Sequence, residues 1–136
     1  MKKKCCFAGH SEIAGKEELY ERLISAIEEL ILTDGICEFW TGNYGEFDKL
    51  AARAVRELKG KHPEIQLILV IPYLTSEINE YREQYYRDYD DILVAELPEN
   101  TPGRLKIIKA NQYMVQSCDA IVAFVEHPLA TLWPKT

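Results

Sequence analysis

Leu67-Ile68-Leu69-Val70-Ile71 is an unbroken run of large apolar residues. A strand with one wet face alternates apolar with polar, so a run without alternation needs apolar neighbours on both faces. Ile65 to Tyr73 is therefore expected to be a strand inside a sheet covered by helices on two sides. The rest of the chain supplies those helices. Glu17 to Leu32 carries Leu19, Leu23, Ile27, Leu30 and Ile31 at helical spacing, and Asp34-Gly35 stops it. Phe47 to Leu58 places Leu50, Ala51, Ala54, Val55 and Leu58 on one face, with Gly60 and Pro63 beyond it.

Further apolar strands are read at Lys4 to Ala8, Ile36 to Thr41 and Ala120 to Val125, with a short extra strand in Asp91 to Leu97. Glu77 to Asp91 is polar, with Tyr81, Tyr85 and Tyr89 four apart, and reads as one surface helix whose tyrosines form a packing stripe rather than a base-stacking platform. Thr101 reads as the N-cap and Pro102 as the first residue of a helix running to about Ser117. Strands alternating with helices imply right-handed crossovers and a parallel sheet. The expectation is an α/β three-layer fold with a small parallel sheet of about four strands. Its 136 residues form one domain.

Composition narrows the function. The chain is 47% hydrophobic and 28% charged, as in an ordinary globular protein, and its formal net charge of −6 disfavours a nucleic acid polymer as partner. No apolar run reaches membrane-spanning length, and the basic start Lys2 to Lys4 precedes too short a core for a signal peptide. A cytoplasmic protein without a membrane partner is expected. Cys5, Cys6, Cys37 and Cys118 show no metal spacing and read as reduced core residues. No metal and no cofactor is expected.

In open α/β sheets, ligands bind beyond the carboxyl ends of the strands, where the strand order reverses. The tips to examine are Gly9-His10-Ser11, the corner Thr41-Gly42-Asn43-Tyr44-Gly45, Tyr73 and Glu126-His127. The corner joins a strand tip to a helix start, where exposed N–H groups favour an anion. Glu46 and Asp48 complement that dipole themselves, and Asp48 is also placed to accept ribose hydroxyls. His10 and His127 follow the first and last strands. They suit hydrogen bonding to phosphate or acid–base work. Arg104 sits in the first turn of its helix, where a cation is disfavoured unless an anion joins it, and Asn111 follows seven residues later.

CCFAGH, FWTGNYGEFDKLAARAVRELK, LILVIPYL, YDDI and PGRLKIIKANQYMVQSCDAIVAFVEH, in that order, resemble the SLOG superfamily of Rossmann-like nucleotide-binding proteins. The resemblance covers nearly the whole chain and is nearest to a family of uncharacterised bacterial SLOG proteins. It implies that Gly42, Asn43, Gly45, Asp48, Arg104, Asn111 and His127 line a site for a nucleotide-derived ligand. Ser11 stands where the family usually has Arg. The Gly-Gly loop, helix and fifth strand that usually follow the position of His127 are replaced by Leu129 to Thr136. The related LOG-type phosphoribohydrolases carry a PGGxGT signature and a catalytic Glu, both absent here.

The expected function is sensing or sequestering a nucleotide-derived small molecule, with no complete catalytic set. A small nucleotide-processing hydrolase or transferase and a degenerate fold serving as a partner-binding module stay open. The strand from Ala120 to Val125 would be a bare edge, and Leu129, Leu132 and Trp133 would add apolar surface. A homodimer or higher homo-oligomer is therefore expected, the alternative being a tail that folds back over its own edge.

Overall fold

A computed structural model describes residues 2–9, 15–124 and 130–134 of the chain, with residues 124 and 130–134 described through their backbone pairing. The elements in chain order are β1 (Lys3–Gly9), α1 (Lys16–Asp34), β2 (Ile36–Thr41), α2 (Glu46–Lys59), β3 (Gln66–Ile71), α3 (Ser76–Glu80), α4 (Arg82–Asp88), β4 (Asp91–Val94), α5 (Lys106–Ser117), β5 (Ala120–Phe124) and β6 (Ala130–Pro134). They build one six-stranded sheet in the order β4-β3-β2-β1-β5-β6. Five strands are parallel and β6 is antiparallel to β5.

The apolar run in β3 shows why the sheet needs helices on both faces. Leu67, Leu69 and Ile71 enter one core, with Phe7, Phe39 and the buried faces of α1 and α2. Ile68 and Val70 enter the other, with Cys6, Trp40 and α5's Ala110 and Met114. Chain order accounts for this division. The first four strands step in one direction, so right-handed crossovers leave α1 to α4 on one face. The return from β4 to β5 leaves α5 on the other. The result is an α/β, Rossmann-like three-layer fold.

Several elements differ from the sequence reading. The five strands read from the sequence all pair in parallel, and β6 adds an antiparallel sixth to the sheet of about four. β4 is short, yet it pairs in register with β3, and the flanking N–H groups of Asp90 and Ala95 bond the carbonyls of Leu67 and Ile71, each at 2.8 Å. The polar segment after β3 is two helices, broken at Tyr81. Its anchors are Ile78 and Tyr89, and no residue of α4 between them is fully buried, so no apolar stripe holds one continuous helix. Thr101 is not a cap. Its hydroxyl donates to the Pro98 carbonyl at 2.7 Å, closing the turn before a 3-10 segment at Gly103–Leu105 that leads into α5.

The edge argument for self-association also fails. β6 pairs along the whole of β5, from Ala120 opposite Pro134 to Phe124 opposite Ala130. The tail folds back over the edge that would otherwise stay open. Leu129 and the side chains of Leu132 and Trp133 lie outside the described residues. Among the described residues, no helix is long and apolar enough to cross a membrane.

Candidate functional site

The strand order reverses at β1, which pairs with β2 on one side and β5 on the other. β1 ends at Gly9, in register with Phe124 at the end of β5. β2 ends at Thr41, and α5 begins at the same end of the sheet because it returns from β4 to the start of β5. The tips of β1, β2 and β3 and the start of α5 therefore share the carboxyl end, where ligands of such sheets sit. His10, Ser11 and His127 lie outside the described residues.

Gly9 has no room for a side chain. A Cβ there would lie 2.5 Å from Cδ2 and 2.6 Å from Cγ of the buried Phe47 ring. The first residue of α2 to enter the core thus packs directly on the tip of β1, and the two tips approach closely only because residue 9 is glycine.

The Thr41–Gly45 corner caps itself. Asp48 Oδ2 accepts the Tyr44 backbone N–H at 3.2 Å. Burial raises the Asp48 carboxyl above its ordinary range, opposed by hydrogen bonds from the Tyr44 N–H, the Thr41 hydroxyl and the Gly45 N–H. The fully buried Thr41 hydroxyl has one proton and two acceptors nearby, the Gly42 carbonyl at 3.2 Å and this carboxylate; the charged acceptor is the stronger. The corner's donors therefore already meet an anion, and that anion belongs to the protein. Gly42 lies close against it, a Cβ there falling 3.3 Å from Asp48 Oδ2.

Tyrosines crowd the same end. The Tyr44 hydroxyl is pushed up to about 12, first by burial and then by Tyr73, Asp48 and Tyr85 nearby. Lys106 holds its ammonium 4.8 Å from the Tyr73 ring centre, joining the start of α5 to the tip of β3. This contact makes Lys106 more than the plain solvated lysine its position suggests. Asn43 donates to the Tyr85 hydroxyl, which in turn donates to Glu77 and is raised chiefly by burial. The network ties the corner to α3 and α4. Periodicity does not reveal it, because its partners come from three separate segments.

Arg104 is exposed in the 3-10 segment that opens α5 and has no ion-pair or hydrogen-bond partner among the described residues. Asn111 is exposed one and a half turns into α5. Gly9, Thr41, Gly42, Asn43, Gly45 and Asp48 are thus grouped at the tips of β1 and β2, while Arg104 stands at the α5 start on the other face of the sheet.

No protein-family model matches the chain. It is 31% identical over 121 residues to the uncharacterized SPbeta prophage-derived protein YoqJ of Bacillus subtilis strain 168, a match covering 78% of this chain and 71% of that protein. It is 27% identical over 119 residues to the UPF0398 protein BH1768 of Halalkalibacterium halodurans, covering 82% of this chain and 59% of that protein. The first match is close enough and covers enough of both proteins to show the relationship, and the chain belongs to the family of the SPbeta prophage-derived protein YoqJ.

Proposed function

We propose that the chain binds a nucleotide or nucleotide-derived ligand at the carboxyl ends of its parallel strands, as a sensor or sequestering protein of SLOG type. The observation that carries this reading is the reversal of strand order at β1, between β2 and β5, the place where open α/β sheets bind their ligands. Around it stand a glycine-rich corner, a partly buried carboxylate and a cation with no partner among the described residues. The self-capped corner divides the roles. Asp48 already fills the place of a phosphate at α2, so it serves the ligand as acceptor for ribose hydroxyls. Arg104 and the opening turn of α5 take the phosphate. Asn111 extends that side of the site.

Calorimetric titration with a panel of nucleotides tests the proposal. Saturable binding that weakens in Arg104→Ala supports it, and no heat from any nucleotide removes it. A second reading, hydrolysis or group transfer on the nucleotide, rests on Asp48, a carboxyl held above its ordinary range in a strand-tip site. Chromatography of the incubated nucleotides for new products separates the two. Self-association is kept as a proposal on different ground from the β5 edge: Ile107 and Ile108 are exposed on α5. Light scattering that gives only the 15.7 kDa monomer would remove it.

A further inference from the structure

We propose a second ligand site in the groove between α2 and α4, one that takes a planar aromatic ring bearing an anionic group. A cavity of about 400 Å³ lies there, meeting the strand-tip group only at Asn43, and falls within the size range of small-molecule pockets. Lys49 and Arg56, two turns apart on α2, form one wall. Tyr81, Gln84 and Tyr85 form the other together with the carboxylate residues Glu77 and Asp88, and Asn43 closes the end nearest the strand tips.

What each lining group already does decides what the groove can bind. Arg56 is committed: its Nε donates to the Asp88 carbonyl at 2.7 Å, and its guanidinium lies 5.0 Å from the Tyr89 ring centre. Tyr89 is buried and stacks with Tyr85, their ring centres 6.5 Å apart and their planes within 21°. Tyr85 is fixed at its hydroxyl by Asn43 and Glu77. These groups make a rigid frame. The Lys49 ammonium, the Gln84 amide and the Tyr81 ring, by contrast, have no side-chain partner among the described residues. Tyr81 is half exposed. The uncommitted set is thus one cation, one amide and one aromatic face, with the Asp88 carboxylate beside Arg56 at the end of the groove away from Lys49.

The Lys49 end of that set, with Gln84 and Tyr81, matches one class of ligand. An aromatic ring stacks on Tyr81, its polar edge meets Gln84, and its anionic group meets Lys49. The tyrosines four apart therefore divide their work. Tyr85 and Tyr89 pack, as the sequence reading has it, while Tyr81 sits at the break between α3 and α4 with its ring free for a ligand.

Photolabelling of the full chain with 8-azidoadenosine 5′-monophosphate, followed by peptide mapping, tests this. The expected result is label within residues 77–89. In Lys49→Ala, an exposed change that leaves the core untouched, that label falls by about fivefold, the loss of one solvent-exposed ion pair. Tyr81→Ala removes it, with circular dichroism confirming the fold. Label confined to the strand tips, or label on 77–89 undiminished in both variants, would overturn the second site, and the first of these would leave the strand-tip proposal standing.

Discussion

The Asp48 carboxylate accepts the backbone N–H of Tyr44 at 3.2 Å, so the first anion at the β2–α2 corner is the protein's own. The glycines at 42 and 45 bring the corner's backbone around this side chain. Asp48 is both a structural cap and a group raised above its ordinary range by burial. Those two roles make opposite predictions for two substitutions.

Asp48→Ala leaves the Tyr44 and Gly45 N–H groups short of an acceptor, with only the Gly42 carbonyl left to the buried Thr41 hydroxyl, and is expected to cost about 1–2 kcal/mol. Asp48→Asn keeps an acceptor and removes the buried charge. The fold holds the Asp48 proton more tightly than the unfolded chain does, so this group's contribution is present at low pH and lost as pH rises above the ordinary value of 3.8 and through the folded value. Relative to the native protein, Asp48→Asn should therefore gain stability between about pH 4 and about pH 7. Urea denaturation at the two pH values checks the sign, and a relative loss across that interval would refute the burial argument.

Gly9→Ala forces a methyl group into the Phe47 ring, and overpacking of this kind costs about 1–3 kcal/mol. If that contact is the cause, Gly9→Ala should be less damaging in a Phe47→Leu background than in the native one. A double-mutant cycle by denaturation measures the coupling. Additive effects would mean that the close approach of the β1 tip and α2 is not what residue 9 protects.

Burial pushes the Cys5 thiol up. The Cys118 thiol rises through its hydrogen bond with Cys6 and then through burial. Thiolates are the reactive form, so these buried sulfurs should resist modification. Cys37, only partly buried, donates its S–H to the Lys3 carbonyl. Titration with an aromatic disulfide reagent is expected to modify Cys37 first and the other three cysteines only on unfolding. Rapid reaction of all four in the folded protein would contradict the packing.

How much of this the sequence carries depends on where each cause lies. β3 is legible because its apolar run leaves no wet face, and α1 and α2 because their stripes match the helical period. The break at Tyr81 is not legible, since its anchors Ile78 and Tyr89 say nothing about the polar residues between them. β6 is a tertiary effect: Ala130–Pro134 has no strand pattern of its own and is defined by pairing with β5. Asp48 shows the same limit within the site. A carboxylate near a helix start is visible in the sequence, but its use as the corner's own cap depends on how the Thr41–Gly45 backbone turns.

Arg104 is exposed and has no partner among the described residues, so Arg104→Ala should change stability by no more than about 0.5 kcal/mol. The same substitution should weaken binding of a phosphorylated ligand by about 1.5–3 kcal/mol, the scale of a hydrogen bond to a charged group. Calorimetry and thermal unfolding on one preparation read both. Unchanged affinity would remove Arg104 from the site, and a large loss of stability would assign it a structural role.

The most direct measurement of the central proposal is a nitrogen–proton correlation spectrum of the labelled protein, recorded as nucleotides are added. Binding at the carboxyl ends of the strands predicts saturable shifts at the amides of Gly9, Gly42 to Gly45 and Arg104, with the lower end of the sheet around Lys3, Ile36 and Gln66 unmoved. An unchanged spectrum with every nucleotide, or shifts that leave the tips of β1 and β2 untouched, would contradict it.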